Sequence, residues 1–315
     1  MNQDVTNCPR CGRRTPAARG DCIYCGEQLP FVTIQAAPPQ RNIDPSEFAY
    51  NTVLEPFPGR INESVVTALA AALQIESSEA QSLIDAGRPV PLARSQTRAE
   101  ADMITALVRT CGLRAVVIPD QEMMLDRELI RARRISPSDG QLRVYHSGGE
   151  MALQNSDIKL MVLGELRNVR VDYVEAISRS QSGNVLESSE FRSDEMLLDV
   201  YTASIDQSFR VKADAFDYSG LVSPLSFRSE ANFRAALAKL RADLSNVRID
   251  EDFSKMRALL GRAWPERSRN ESRGIKRTGI GFRAVSQASL MSDNRDQFDR
   301  YSRLAFISGS TLGNR

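Results

Sequence analysis

The chain opens with two Cys-x-x-Cys pairs, Cys8 with Cys11 and Cys22 with Cys25, separated by ten residues. This spacing can bring four thiolate sulfurs around one ion, which is the tetrahedral arrangement that structural zinc adopts. Four cysteine ligands would fill the coordination shell and leave no position for a water molecule. The sequence therefore predicts one structural Zn²⁺ ion in residues 1–30, without metal-based catalysis.

The segment between the two pairs is too short and too polar to fold on a hydrophobic core. It contains Pro16 and Gly20, and Gly12 and Gly26 follow the pairs at places where a left-handed residue is often needed. Each half resembles a zinc knuckle, and metal binding would supply the folding free energy. Two disulfides or a redox-active pair are the alternatives. Because no apolar signal segment precedes Cys8, we expect a reducing compartment, which favours zinc.

The overall composition argues against several classes of partner. The 315 residues are enough for two or three domains, and 41 basic residues against 40 acidic ones give a net charge of +1. This balance does not attract nucleic acid or an anionic membrane to the chain as a whole. Charges interrupt every apolar stretch before it reaches the roughly 20 residues that span a bilayer. We therefore expect a soluble, cytoplasmic protein.

Residues 31–48 are predicted to be a proline-rich linker, and residues 49–120 to form a module of order βααβαβ. Capping signals mark two of its helices. Asn62 precedes the first helix, and Thr97 with Glu100 forms a capping box before the third. These signals predict a compact α+β unit of roughly 70 residues.

The order of this module and its segment PVPLARSQTRAEADMITALVRTCGLRAVVI resemble the carboxy-terminal domain of the bacterial ribosomal stalk protein and its structural relative, the Clp-protease adaptor. The resemblance covers under a quarter of the chain. Both families are non-enzymatic docking domains, so the resemblance implies a docking role for residues 49–120. The adaptor's acidic entry is replaced by Glu55-Pro56-Phe57-Pro58 and the first helix lacks lysine, so neither family's binding residues are carried over.

Residues 121–140 are predicted to be a charged connector, and the hydrophobic period then changes to two over residues 142–211. An amphipathic helix follows from Ser229 to Leu244. This order makes residues 141–264 resemble a pleckstrin-homology-like domain, an antiparallel β-barrel closed by a carboxy-terminal helix. The first hairpin of this domain has almost no positive charge, so the resemblance implies a protein-binding or structural role instead of lipid binding. Residues 178–194 are expected to form a long polar loop.

His146 and Cys111 are the remaining candidates for chemistry. His146 is the only histidine and has no nucleophile partner recognisable by motif, so we interpret it as a surface residue beside a turn. Cys111 shares an apolar helix stripe with Ile104 and Val108, which favours a buried small residue over a nucleophile. The sequence also lacks phosphate-binding loops, metal-binding histidine pairs and nucleophile elbows. It therefore predicts no catalytic residues.

Residues 265–315 are predicted to be a basic, partly flexible tail. Between residues 266 and 283, six basic residues stand against two acidic ones, a charge that can contact a phosphate backbone. An aromatic cluster near the end is expected to pack on a domain or a partner; its members are Phe298, Tyr301 and Phe306. The ribbon contributes further positive charge through Arg10, Arg13, Arg14 and Arg19.

Small modules without catalytic motifs predict a non-enzymatic, zinc-binding adaptor or scaffold that binds other proteins in a bacterial cytoplasm. The alternative is a factor associated with nucleic acid, or with the transcription or translation machinery, through the zinc ribbon and the basic tail. Neither a membrane partner nor a small-molecule substrate is indicated. The expected fold is a multi-domain α+β chain with a ribbon, a βααβαβ module and a barrel.

Overall fold

The computed structural model describes residues 5–8, 10–16, 22–27, 43–44, 47–59, 62–177, 185–278 and 283–312. Most of the expected linker at 31–48 lies outside these ranges, as does Arg19. The described residues form a mixed α+β protein with six α-helices and several sheets.

The amino-terminal ribbon contains a two-stranded antiparallel sheet, β1 (Val5–Asn7) and β2 (Arg14–Pro16). The connection between the two strands carries the first cysteine pair. A short hairpin therefore fixes the backbone on both sides of two of the four cysteines.

The predicted order βααβαβ is confirmed. Its strands form an antiparallel sheet of order β4-β3-β5. The Asn62 side chain accepts from the Val65 amide at 2.9 Å, and Thr97 and Glu100 form the expected capping box. The elements are β3 (Tyr50–Leu54), α1 (Glu63–Leu73), α2 (Ser77–Asp85), β4 (Val90–Ser95), α3 (Arg98–Thr110) and β5 (Ala115–Pro119).

Within the described ranges ten strands and three helices follow this module, and the first strands arise within the expected connector at 121–140. The strands up to the fourth helix are β6 (Ile130–Ala132), β7 (Arg134–Ser138), β8 (Gln141–His146), β9 (Gly149–Gln154), β10 (Ile158–Ile177), β11 (Val185–Thr202) and β12 (Phe209–Lys212). The remaining elements are α4 (Ser229–Asp243), β13 (Arg248–Asp250), α5 (Phe253–Leu260), β14 (Arg267–Thr278), β15 (Arg283–Asp293) and α6 (Arg295–Leu312).

The predicted β-barrel is wrong, because none of the sheets in the described part of the chain closes on itself. Strands β7, β8 and β9 form a separate three-stranded sheet. The large sheet has the order β14-β15-β10-β11-β12-β6, with β13 parallel to β10, and its end strands β14 and β6 are not paired with each other. A barrel does not form because β10 continues for 20 residues and pairs with β15 from the end of the chain.

Two other expectations about irregular structure differ from the observed fold. The expected loop at 178–194 is strand from residue 185 onward, and residues 178–184 lie outside the described ranges. The expected tail at 265–315 forms β14, β15 and α6. The sequences of these strands are rich in polar residues at odd and even positions alike, so alternation of apolar and polar residues did not reveal them.

The large sheet separates two hydrophobic cores. On β10, Leu160 and Val162 face the first core, while Met161 between them faces the second. The first core joins this sheet to the βααβαβ module, α5 and α6, and the expected terminal cluster contributes Phe298 and Tyr301 to it. The second core lies between the other face, the β7-β8-β9 sheet and α4.

Polar contacts add to the connection between the βααβαβ module and the end of the chain. The Trp264 indole donates to Asn51 Oδ1 in β3 at 2.8 Å. Arg262 donates to the Leu73 and Leu92 carbonyls at 3.0 and 3.2 Å. The module therefore does not pack by itself, because its core continues into helices that come more than 130 residues later.

Asp120, at the end of β5, is a second point of connection. Arg94 and Arg300 each approach one of its carboxylate oxygens at 2.7 Å, and both arginine side chains are buried. Burial opposes ionisation of Asp120, but the two guanidinium groups outweigh it and hold the pKa of this carboxyl below its usual value. The β5 end is thus held to α6 by a charged cluster.

Candidate metal centre

The two cysteine pairs adopt the same backbone turn. The Gly12 amide donates to the Cys8 carbonyl at 2.9 Å. The Gly26 amide donates to the Cys22 carbonyl at the same distance. Gly12 and Gly26 have φ angles of +67° and +69°, in the left-handed region that favours glycine. The conformation predicted for these two glycines is confirmed, and it lets the backbone turn back after each cysteine pair.

A second hydrogen bond closes each turn. The Cys8 amide donates to the Arg13 carbonyl at 3.0 Å, and the Cys22 amide donates to the Glu27 carbonyl at 2.8 Å. The two halves of the ribbon thus repeat one local structure although their sequences differ outside the cysteines and glycines. This repeated local structure brings the two cysteine pairs together with similar backbone geometry.

The four predicted ligands, Cys8, Cys11, Cys22 and Cys25, are brought together, and their sulfurs all lie within 4.8 Å of one another. The Sγ atoms of Cys8 and Cys25 are 3.6 Å apart, and those of Cys11 and Cys22 are 3.7 Å apart. A regular tetrahedron with Zn–S distances of about 2.3 Å separates its sulfurs by about 3.8 Å. The cluster is therefore positioned to bind a metal ion, and its dimensions and all-thiolate donor set fit zinc. None of the five cysteines is in a disulfide.

The surroundings of the sulfurs control their acidity. The backbone hydrogen bond from Cys11 lowers the pKa of the Cys8 thiol to about 7, which favours the thiolate that binds metals. At Cys25 the Glu27 backbone lowers the pKa, but burial and the other three sulfurs more than reverse this effect and raise it to about 12. Four thiolates this close together repel one another, so a cation is needed to hold them in their charged form. Metal binding would therefore release protons from the thiols.

The outer surface of the ribbon combines charge with apolar residues. Arg10 contacts the Glu27 carboxylate at 3.3 Å, and the Arg13 guanidinium lies 5.2 Å from the centre of the Tyr24 ring. Tyr24 and Ile23, between the second pair of cysteines, are about half exposed at 54% and 48%. A metal-stabilised ribbon would thus present these side chains on a fixed turn.

The two other sequence candidates lie away from this centre. Cys111 is 8% exposed in the first core, where its thiol donates to the Leu107 carbonyl at 3.4 Å and burial raises its pKa. This placement confirms a buried small residue. His146 ends β8 beside a tight turn, and its Nδ1 accepts from the Gly148 amide at 3.1 Å. Both residues therefore make local hydrogen bonds with the backbone, away from the cysteine cluster.

Sequence reasoning missed the exposed apolar residues of the large sheet. Phe191 in β11 and Met291 in β15 are 58% and 40% exposed. The available signal was an isolated aromatic residue within a polar segment, which is too weak to interpret without the strand pairing. The basic stretch at 266–283 is confined in the structure to the edge strand β14 and the first residue of β15, with residues 279–282 outside the described ranges.

None of the helices in the described ranges combines the length and apolar character that a membrane span requires. The four-cysteine cluster is the most specific chemical feature that both sequence and structure identify. Comparison with protein-family models, with curated proteins and with solved structures finds no match for this chain.

Proposed function

We propose that this protein is a non-enzymatic, zinc-binding adaptor that binds other proteins through an arm of its large sheet. The arm is defined as residues 167–177 of β10, 185–194 of β11, 267–278 of β14 and 283–293 of β15. Strand β10 alone has 20 residues, which corresponds to about 65 Å of extended chain. The observation that carries the proposal is the exposure of apolar side chains on both faces of this arm.

The strand register shows how exposed apolar residues are distributed over the two faces. Arg170 lies between Phe191 and Met291 on one face. On the other face Val171 pairs with Leu290, which is 40% exposed. An antiparallel sheet usually buries one face against a core, whereas here both faces reach solvent. Exposed apolar residues on both faces of one arm favour a surface for another protein.

Side-chain contacts hold the arm in one register. Asp172 accepts from Arg170 Nε at 2.8 Å and from the Ser289 hydroxyl at 2.6 Å, so it joins β10 to β15. A surface that is ordered before binding loses little conformational entropy when a partner docks. The arm is therefore suited to form an interface without first rearranging.

The ribbon supports the same function in a different way. A complete set of four thiolates leaves no position on the metal for substrate or water, so the metal would act structurally. The metal would hold in place a turn that presents Ile23 and Tyr24 to solvent. A rigid, partly apolar turn on a small metal-dependent unit is suited to recognition of a partner.

We expect the double variant Phe191→Ser/Met291→Ser to lose partner binding while it keeps its fold. Both side chains are exposed, so their loss should change the free energy of unfolding by no more than about 0.5 kcal/mol. Central apolar contacts contribute about 2 kcal/mol or more to an interface, so affinity should fall at least about thirtyfold. Partners recovered by quantitative affinity purification would be titrated against purified wild type and variant by calorimetry.

Phe227→Ser is the matched control, because Phe227 is fully exposed but lies outside the arm. The control should bind each partner as tightly as wild type. Equal binding by the arm variant and wild type would contradict the proposal, as would equal losses in the arm variant and the control.

A second candidate function rests on the charge of strand β14, which contains five basic residues and one acidic residue at the sheet edge. This charge is compatible with contacts to a nucleic acid backbone. Basic residues also protect exposed strand edges from pairing with other chains, and Arg267 lies 3.6 Å from Asp296 in α6. Binding of a single-stranded oligonucleotide that weakens steeply with salt would favour this candidate over the adaptor.

A further inference from the structure

A cavity of about 460 Å³ lies between the beginning of α6, strand β12 and the segment before β6. Seven basic and three acidic side chains line it. Its volume is within the range of about 300–1,000 Å³ that is typical of small-molecule sites. The basic residues come from three separate segments, within residues 127–131, 210–212 and 295–303, so the sequence does not show them as one cluster.

The carboxylates near the cavity do not balance these cations one to one. Glu195 is shared by Arg295 at 3.3 Å and Lys212 at 3.9 Å. Asp120 is likewise shared by Arg300, which lines the cavity, and by Arg94 behind it. In the other direction, Arg210 has two carboxylates, Asp199 and Asp299, and Arg127 lies 3.5 Å from Asp206, so only a modest surplus of positive charge is left at the cavity.

The surplus lies at Arg131 and Arg303, which also line the cavity. Within the described ranges no carboxylate forms an ion pair with either of them. Arg303 is 5% exposed, and its Nη1 is buried without a hydrogen-bond partner, although its Nη2 donates to the Arg127 carbonyl. Most buried polar groups in folded proteins have a hydrogen-bond partner, so the Arg303 guanidinium beside the basic cavity retains an unused donor.

The lowered pKa of Lys212 agrees with this surplus of positive charge. Burial is the largest effect that lowers the pKa of its ammonium group, and the positive charges of Arg295, Arg131 and Arg210 lower it further. The acidic residues in the lining offset only part of this field. Asp299 shares Arg210 with Asp199, Asp296 lies 3.6 Å from Arg267 outside the cavity, and Glu128 is exposed.

We propose that this cavity binds a small molecule that carries a phosphate or diphosphate group. Arginine forks match the oxygens of phosphate in a bidentate manner, and a phosphate brings about −1.5 to −2 charges, which suits the surplus better than one carboxylate. Leu125 and Leu129 in the lining provide apolar contact for the rest of the ligand. This proposal is independent of the adaptor function, because it uses none of the arm residues.

Calorimetric titration of the full chain with pyrophosphate at constant ionic strength tests the site. We expect saturable binding of one pyrophosphate per chain. Arg131→Gln should weaken it at least about tenfold, because one charge-assisted hydrogen bond is lost at an exposed strand position that does not affect folding. Arg303→Gln should weaken binding as well, and if that variant does not fold, Arg131→Gln decides.

The matched control is Arg143→Gln, an exposed strand arginine in β8 that does not line the cavity. It should bind pyrophosphate as wild type does, and succinate should bind wild type at least about tenfold more weakly than pyrophosphate. The proposal is overturned if pyrophosphate shows no saturable binding at millimolar concentration. It is also overturned if Arg143→Gln weakens binding as much as Arg131→Gln, or if succinate binds equally well.

Discussion

Asp199→Ala should lower the free energy of unfolding by about 3–5 kcal/mol, because it leaves a buried guanidinium without its main partner. Asp199 in β11 is fully buried. It accepts from Arg210 Nε at 2.5 Å and from Arg210 Nη2 at 2.8 Å. It also accepts from the Ser302 hydroxyl of α6 at 2.6 Å. The substitution therefore breaks contacts between the large sheet and the last helix.

The charge of Arg210 explains why this effect should be large. Burial opposes its charge, but Asp199 and Asp299 outweigh that effect and place the pKa of the guanidinium well above its usual value. Removing Asp199 leaves only Asp299 to compensate a side chain that is largely buried. Ser302 also loses an acceptor, although it keeps its contact of 2.7 Å with the Tyr201 hydroxyl.

Urea denaturation followed by the fluorescence of Trp264 would measure the loss, since Trp264 is the only tryptophan and is buried in the first core. Asp194→Ala is the matched control, an exposed aspartate in the same strand, and should change the unfolding free energy by no more than about 0.5 kcal/mol. Similar losses in the two variants, or a loss below about 1 kcal/mol in Asp199→Ala, would contradict the role assigned to the buried pair.

Removal of the metal should unfold the ribbon and leave the rest of the protein folded. The buried apolar cluster of the ribbon consists of its own cysteines, and it is separate from the two cores of the large sheet. A structural zinc ion contributes about 10–16 kcal/mol of binding free energy at neutral pH, which a unit of this size cannot replace by packing. After chelation or Cys22→Ser, the amides of Cys8, Gly12 and Gly26 should lose their protection from hydrogen exchange.

The unfolding midpoint reported by Trp264 should not change in the same samples, because this residue lies in the first core. Cys111→Ala serves as the control for metal content, since Cys111 is buried in that core and should not affect the ribbon's metal. A fall of the Trp264 midpoint on chelation would show that the ribbon stabilises the rest of the chain. Continued protection of the ribbon amides without metal would contradict metal-dependent folding.

Local signals in the sequence predicted local structure well. The cysteine spacing, the glycines after each pair, the Asn62 cap and the Thr97 capping box each act within a few residues, and each conformation is confirmed. The amphipathic pattern also predicted α4, which the structure places at Ser229–Asp243. Short-range hydrogen bonds and side-chain periodicity determine these features, so one sequence is enough to infer them.

Features that depend on distant pairing were not predictable in this way. Tyr173 in β10 pairs with Ala288 in β15, 115 residues later in the chain, and this pairing replaces the expected barrel. Residues 185–194 of the predicted loop, and the predicted tail from residue 267 to 293 where it is described, form strands of largely polar sequence, so no apolar alternation marks them. The basic cavity was missed for the same reason, since Arg131 and Arg303 become neighbours of one cavity only in the folded chain.

Zinc K-edge X-ray absorption, on protein purified without added metal, tests the four-cysteine centre most directly. We predict about one zinc per chain, surrounded by four sulfur atoms at about 2.3 Å and by no nitrogen or oxygen ligand. The contradicting result would be less than about half an equivalent of zinc with four freely titratable thiols, or a ligand shell with fewer than four sulfurs.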